Sequence, residues 1–165
     1  MIISLPDIDA TRTLGRAFAR ILERNPFPVF FFGGLGAGKT TLISALVKAL
    51  PGGENAETSS PSFTLCNMYA TIPPVAHFDL YRQENGAADE SLLDFLDGQR
   101  HLVLVEWAER LPEFALPPER IACEITAENE TRHVRLRAFG DDAVKFLEEL
   151  REKARSHTVL FRGNP

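Results

Sequence analysis

Val29-Phe30-Phe31-Phe32-Gly33-Gly34-Leu35-Gly36-Ala37-Gly38-Lys39-Thr40 decides the fold. Residues 33–40 complete the pattern G-x-x-x-x-G-K-[ST] of a phosphate-binding loop. The run before it is short, apolar and aromatic, as suits a buried strand. Residues 41–50 after it follow a helical pattern that stops at Pro51-Gly52. A strand, a glycine loop and a helix N-terminus in that order form an anion site. The glycines let backbone N–H groups converge on phosphate oxygens, and the helix dipole adds positive potential. Lys39 can reach the β- and γ-phosphates, and the Thr40 hydroxyl can ligate Mg²⁺.

The bulk composition narrows the class. A chain of 165 residues, 44% hydrophobic and 25% charged, is expected to be one soluble domain with a real core. The expected domain covers residues 1–155, with 156–165 as a weakly specified, disordered tail. The net charge is −5, from 18 basic and 23 acidic residues. That argues against a chain that grips nucleic acid alone through a broad basic face, and leaves room for a role in an RNA-handling complex. Cys66 and Cys123 form no C-x-x-C pair, so no disulfide framework or zinc site is expected and a reducing cytoplasm fits. No segment approaches transmembrane length, and no membrane partner is expected.

Around the loop, strands are expected at 2–5, 75–79, 102–105, 120–126 and 132–138, with residues 61–65 leading into a further strand through Tyr69, and helices at 9–24, 90–96 and 141–155. The two strands after residue 120 read as an antiparallel pair. The expected architecture is α/β: a three-layer sandwich like that of P-loop NTPases, its central sheet mostly parallel with an antiparallel edge.

A phosphate loop holds a nucleotide but does not alone hydrolyse it. Carboxylates at the C-terminal ends of apolar strands can hold Mg²⁺ opposite Thr40 and place the attacking oxygen. Glu106 follows the apolar run 102–105 in the manner of a Walker B acid, with Glu for the usual Asp. It is read as the Mg²⁺ carboxylate, direct or through water; the alternative is a strand-end acid facing solvent. Asp79 follows 75–78 and is read as a second acid that helps hold Mg²⁺ or orients water. Its alternatives are a turn-forming Asp or a partner for Arg82.

Residues 60–64, Ser60-Pro61-Ser62-Phe63-Thr64, stand where a nucleotide-sensing loop would stand, or form a plain Ser/Pro turn. Trp107 either stacks near the site or belongs to the core. His77, His101, His133 and His157 are scattered and read as structural or surface residues. Arg132, Arg135 and Arg137 are read as one strand face, ordinarily solvated, otherwise bordering the nucleotide or an acidic or RNA partner. No Asn-Lys-x-Asp tetrad marks guanine, which favours ATP, and no arginine-rich lid suggests a small-molecule kinase.

Taken together, four segments resemble the TsaE (YjeE) family of small ATPases of bacterial tRNA threonylcarbamoyladenosine synthesis. They are Gly36-Ala37-Gly38-Lys39-Thr40-Thr41, Ser60-Pro61-Ser62-Phe63-Thr64-Leu65, His77-Phe78-Asp79-Leu80-Tyr81-Arg82 and Leu104-Val105-Glu106-Trp107. The resemblance spans about residues 2–138. It implies a weak, Mg²⁺-dependent ATPase that works with TsaB and TsaD. In that scheme TsaD modifies an adenosine in the tRNA anticodon loop, so tRNA is an indirect partner.

By position, Lys39 and the loop residues Gly34, Leu35, Gly36, Ala37, Gly38, Thr40 and Thr41 would bind phosphates. Thr40 and Glu106 would hold Mg²⁺, and Asp79 would serve hydrolysis. Ser62, Phe63 and Thr64 would form a switch-like loop, with Trp107 beside the site. The segment 5–11, including Ile8 and Thr11, would border adenine. The chain departs from the family at Gly34, where Asp is usual, at Ser62, where Thr is usual, and across 84–100. The helix after Gly140 is also outside the pattern. Two other readings stay open: an ATP-dependent binding module with little hydrolysis, and a small-molecule phosphotransferase.

Overall fold

The computed structural model describes residues 1–98 and 100–156. Seven strands form one sheet: β1 (Ile2–Leu5), β2 (Val29–Phe32), β3 (Cys66–Tyr69), β4 (Val75–Asp79), β5 (Leu102–Glu106), β6 (Arg120–Glu128) and β7 (Thr131–Phe139). Their spatial order is β1-β7-β6-β2-β5-β4-β3. The three central pairings, β6–β2, β2–β5 and β5–β4, are parallel. The expected antiparallel edge is the β6–β7 hairpin with β1 beyond it. A second antiparallel margin, not anticipated, comes from β3 against β4.

Period-two alternation sends adjacent phenylalanines of β2 to opposite sides. Val29 and Phe31 join one buried cluster with α1 (Ile8–Leu22), α2 (Lys39–Ala49) and α4 (Asp141–Ser156). Phe30 joins the other, with Phe78, Val103, Val105 and Leu92 of α3 (Glu90–Asp97). Helices therefore cover both faces, which is why the central strands are mostly apolar, with His77, Asp79 and Glu106 as buried exceptions. Beyond α4's last residue, the expected tail lies outside the described residues.

Local chemistry sets the element ends. Asp7 caps α1: its carboxylate accepts from the Ala10 N–H at 2.7 Å, so the helix starts at Ile8, one residue before the expected position. The strand expected to follow residues 61–65 and run through Tyr69 is Cys66–Tyr69. The Thr64 and Leu65 N–H groups both turn back to the Pro61 carbonyl, and Leu65 takes a left-handed φ of 67°. A turn after Pro61 therefore precedes the strand.

Two contacts fix the helical layer. A Cβ on Gly15 of α1 would lie 2.5 Å from the Ala45 Cβ of α2, so only glycine permits this crossing. The Phe146 ring of α4 meets Phe18 and Phe27 edge-on, with centroids at 5.0 and 5.7 Å. Each such pair contributes about 0.5–1.5 kcal/mol beyond area burial.

Candidate active site

The parallel strands bring their C-terminal ends together at one edge. In register, Asp79 of β4 lies opposite Glu106 of β5, and both flank the loop that leaves β2. The glycine loop then turns the chain into α2. Gly33, Gly36 and Gly38 all have positive φ (135°, 73° and 107°). Gly38 caps α2 without a side chain, so the first-turn N–H groups point into the cleft uncapped by any side chain.

The cleft, about 370 Å³, is lined by residues 35–41 together with Ser60, Ser62, Asp79, Tyr81, Glu106 and Trp107. Thr40 Oγ1 donates to both carboxylate oxygens of Glu106, at 2.8 and 3.0 Å. Asp79 is buried and accepts from the Tyr81 N–H at 2.9 Å and from the Ser60 hydroxyl. Lys39 Nζ donates to the Gly33 and Gly34 carbonyls at 2.6 and 3.0 Å, and sits 3.8 Å from the centroid of the Trp107 ring. Burial pulls the Lys39 ammonium below its ordinary value, while Glu106, Glu109 and Asp79 act in the opposite direction.

The structure thus gathers Lys39, Thr40, Asp79, Glu106, Ser62 and Trp107, together with loop residues Leu35, Gly36, Ala37, Gly38 and Thr41, at one cleft. Gly34 is exposed at the loop's outer turn and presents its carbonyl to Lys39. Thr64 is not brought in: it is exposed, with its hydroxyl 3.4 Å from Asn67 Oδ1. Ser60 reaches Asp79 from the same loop. Asp79 does not pair with Arg82, whose guanidinium stacks over Phe63 at 4.2 Å.

A neighbouring cavity of about 190 Å³ lies on the other side of the loop. Ile8, Thr11 and Leu5 line it with Gly36, Gly38 and Thr41. The β6–β7 hairpin adds Glu130 and Arg132. The expected single arginine face does not form. Arg132 has the parity of buried Val134 and Leu136 and enters the cavity, whereas Arg135 and Arg137 point the other way into solvent. Residues 132 and 135 differ by an odd number, so a strand sends them to opposite sides.

His77, expected to be structural or at the surface, is buried beside the site. It is 1% exposed, and its Nε2 lies 3.0 Å from Glu106 Oε1. The available signal was its spacing from Asp79, since i and i+2 share a strand face.

The donor set suits Mg²⁺. Hydroxyl and carboxylate oxygens are hard ligands, and Mg²⁺ is commonly held by one or two carboxylates together with substrate phosphates. Thr40 and Glu106 could hold it in this way. Among the described residues, no group of three or more His, Cys, Asp or Glu could hold a metal ion by itself. Among them, too, no helix is long and apolar enough to cross a membrane.

Comparisons with known proteins identify the family. Residues 5–135 match the family model "Threonylcarbamoyl adenosine biosynthesis protein TsaE". The tRNA threonylcarbamoyladenosine biosynthesis protein TsaE of Bacillus subtilis (strain 168) is 36% identical over 120 residues, covering 72% of this chain and 73% of the relative. Its counterpart from Aquifex aeolicus (strain VF5) is 35% identical over 109 residues, covering 66% and 77%. The crystal structure of Bacillus subtilis YdiB superposes with a TM-score of 0.72 at 26% identity, covering 93% of this chain and 95% of that one. The chain therefore belongs to the TsaE family, proteins of tRNA threonylcarbamoyladenosine biosynthesis.

Proposed function

We propose that this chain is a cytoplasmic ATPase subunit: it binds ATP with Mg²⁺ in the cleft, hydrolyses it slowly, and so supports threonylcarbamoyl transfer to tRNA by a TsaB–TsaD pair. The observation that carries the reading is the convergence of Thr40 and Glu106, at 2.8 and 3.0 Å, beneath a glycine loop with an uncapped helix N-terminus. A triphosphate would lie along the loop N–H groups, with Lys39 redirected from the loop carbonyls to phosphate oxygens. Thr40 and Glu106 would hold Mg²⁺, which would supply positive charge against the phosphates.

Asp79 is suited to orient water. Its carboxylate is fixed by the Tyr81 N–H and the Ser60 hydroxyl, and burial keeps bulk solvent from competing. Ser60 belongs to the 60–64 loop, so movement of that loop would free one lone pair of Asp79. The cavity lined by Ile8, Thr11 and Arg132 is the place for the base and ribose. tRNA is met through the partners, in keeping with the acidic balance of the chain.

The test compares ATP hydrolysis by wild type, Lys39→Ala and Glu106→Ala, with and without the TsaB–TsaD pair. Loss of about 100-fold or more in partner-stimulated turnover is expected for each variant, the scale of losing one preorganised charge-stabilising group. Unchanged stimulated turnover in both would overturn the site. ATP binding with no hydrolysis under any partner condition would favour a binding module. Phosphate appearing on an organic acceptor would establish a phosphotransferase.

A further inference from the structure

The buried histidine beside Glu106 has no part in the scheme above. His77 and Glu106 lie on one face of the sheet: His77 is in register with Leu104, and Asp79 with Glu106, so the two side chains meet on the diagonal. Both are buried, at 1% and 2% exposure. His77 Nε2 is 3.0 Å from Glu106 Oε1, and the Tyr69 ring stacks on the imidazole with centroids 6.4 Å apart. Nδ1 is buried and has no hydrogen-bond partner. A neutral imidazole carries one N–H. Placing it on Nε2 satisfies the carboxylate and leaves only a lone pair at Nδ1. The other tautomer would set two lone pairs against each other and bury an unpaired N–H.

Resting on the Mg²⁺–ATP reading, we propose that His77 is a positioning residue: it donates from Nε2 to Glu106 Oε1 and fixes the plane of the carboxylate that faces Thr40 and the metal. Among the described residues, the side-chain hydrogen bonds to this carboxylate come from His77 and Thr40. Thr40 sits at the first turn of α2 and would turn its oxygen to the metal. His77 is therefore the anchor that keeps Glu106 in place when Thr40 changes partner. A Glu side chain otherwise rotates freely about its last bond. Outer partners of this kind are worth about 10- to 100-fold in metal affinity or activity.

Two measurements test this. The first uses the wild-type protein labelled with ¹⁵N-histidine. NMR should find His77 as the Nε2–H tautomer, with that proton shifting when Mg²⁺ and ATP are added together. The Nδ1–H tautomer would overturn the proposal.

The second follows fluorescence of Trp107, the single tryptophan, during ATP titration in EDTA and in Mg²⁺. For His77→Phe the affinity gained from Mg²⁺ should fall by about 10- to 100-fold, while metal-free ATP affinity stays within about twofold of wild type. His77→Gln, which returns an N–H donor near the Nε2 position, should recover most of the gain. Equal losses with and without Mg²⁺, or a glutamine variant no better than phenylalanine, would mark a merely structural role and overturn the proposal. If His77→Phe does not fold, the tautomer and the glutamine variant decide. A wild type indifferent to Mg²⁺ overturns the parent reading as well. A wild type that responds beside an equally responsive His77→Phe overturns this inference alone.

Discussion

Adjacent glycines of the phosphate loop should respond oppositely to the same substitution. Gly33 has φ +135°, and a Cβ there would lie 2.3 Å from the Ile125 carbonyl oxygen of β6. Both terms oppose Gly33→Ala: about 1–3 kcal/mol for the forbidden backbone region, and about 1–3 kcal/mol for forcing an atom into packed backbone. Gly34 is not among the positive-φ glycines, and nothing lies within 4 Å of a Cβ there. Gly34→Ala should stabilise by about 0.4–1 kcal/mol, because it narrows the unfolded ensemble without strain.

For a chain of this size 1 kcal/mol moves Tm by about 2–4 °C. Gly33→Ala should therefore lower Tm by at least about 4 °C, and Gly34→Ala should raise it by about 1–4 °C. Thermal unfolding followed by circular dichroism reads both. ATP titration should also separate them, since lifting the loop off Ile125 displaces the Gly33 carbonyl that holds Lys39. Shifts of equal sign and size would refute the loop geometry. Gly34→Asp meets the same open space, so the missing acid of the TsaE pattern is not a matter of room.

Two other outcomes follow from the packing and the charges. Burial holds Lys39 below its ordinary value of 10.5, so part of it is neutral in the fold at alkaline pH below that value. Phosphate favours the ammonium: ATP binding should take up protons there, and affinity should fall as pH rises toward 10.5, as calorimetry in buffers of different ionisation enthalpy would read. Without ATP the sign is opposite. The unfolded chain binds more protons than the fold in that window, so the Lys39 contribution to stability rises with pH. In the helical layer, Gly15→Ala gains about 1 kcal/mol of helix propensity but meets Ala45 Cβ at 2.5 Å and backbone at 2.9 Å. It should be net destabilising in urea unfolding, and Ala45→Gly should recover only part of the loss.

Much of the site was legible because its chemistry is written in short contiguous motifs. The strand–loop–helix at 29–50 and the acids ending β4 and β5 carry their own punctuation, and the structure places Asp79 opposite Glu106. The 60–64 loop was legible only as a set of hydroxyls. Which of them face the cleft depends on the path of the backbone through 60–65, which sets Ser60 against Asp79 and Ser62 in the lining and leaves Thr64 outside. The pairing of His77 with Glu106 was not legible, because a histidine in an apolar strand carries no local mark of the residue across from it. Arg132 was misplaced by reading an odd separation as strand periodicity.

By itself the sequence determined the glycine loop, the parallel centre around it and the two strand-end acids, and its four motifs carried the resemblance to the family. The first three follow from local periodicity, glycine conformation and residue types adjacent in the chain. Only the tertiary structure decided which distant side chains share the cleft. Register between β4 and β5 sets His77 diagonal to Glu106, and the crossing of α1 and α2 at Gly15 seats α2 over the sheet. The return of the β6–β7 hairpin carries Arg132 to the cavity beside the loop. Strand pairing and helix crossing join residues far apart in the chain, so no window of sequence contains both partners.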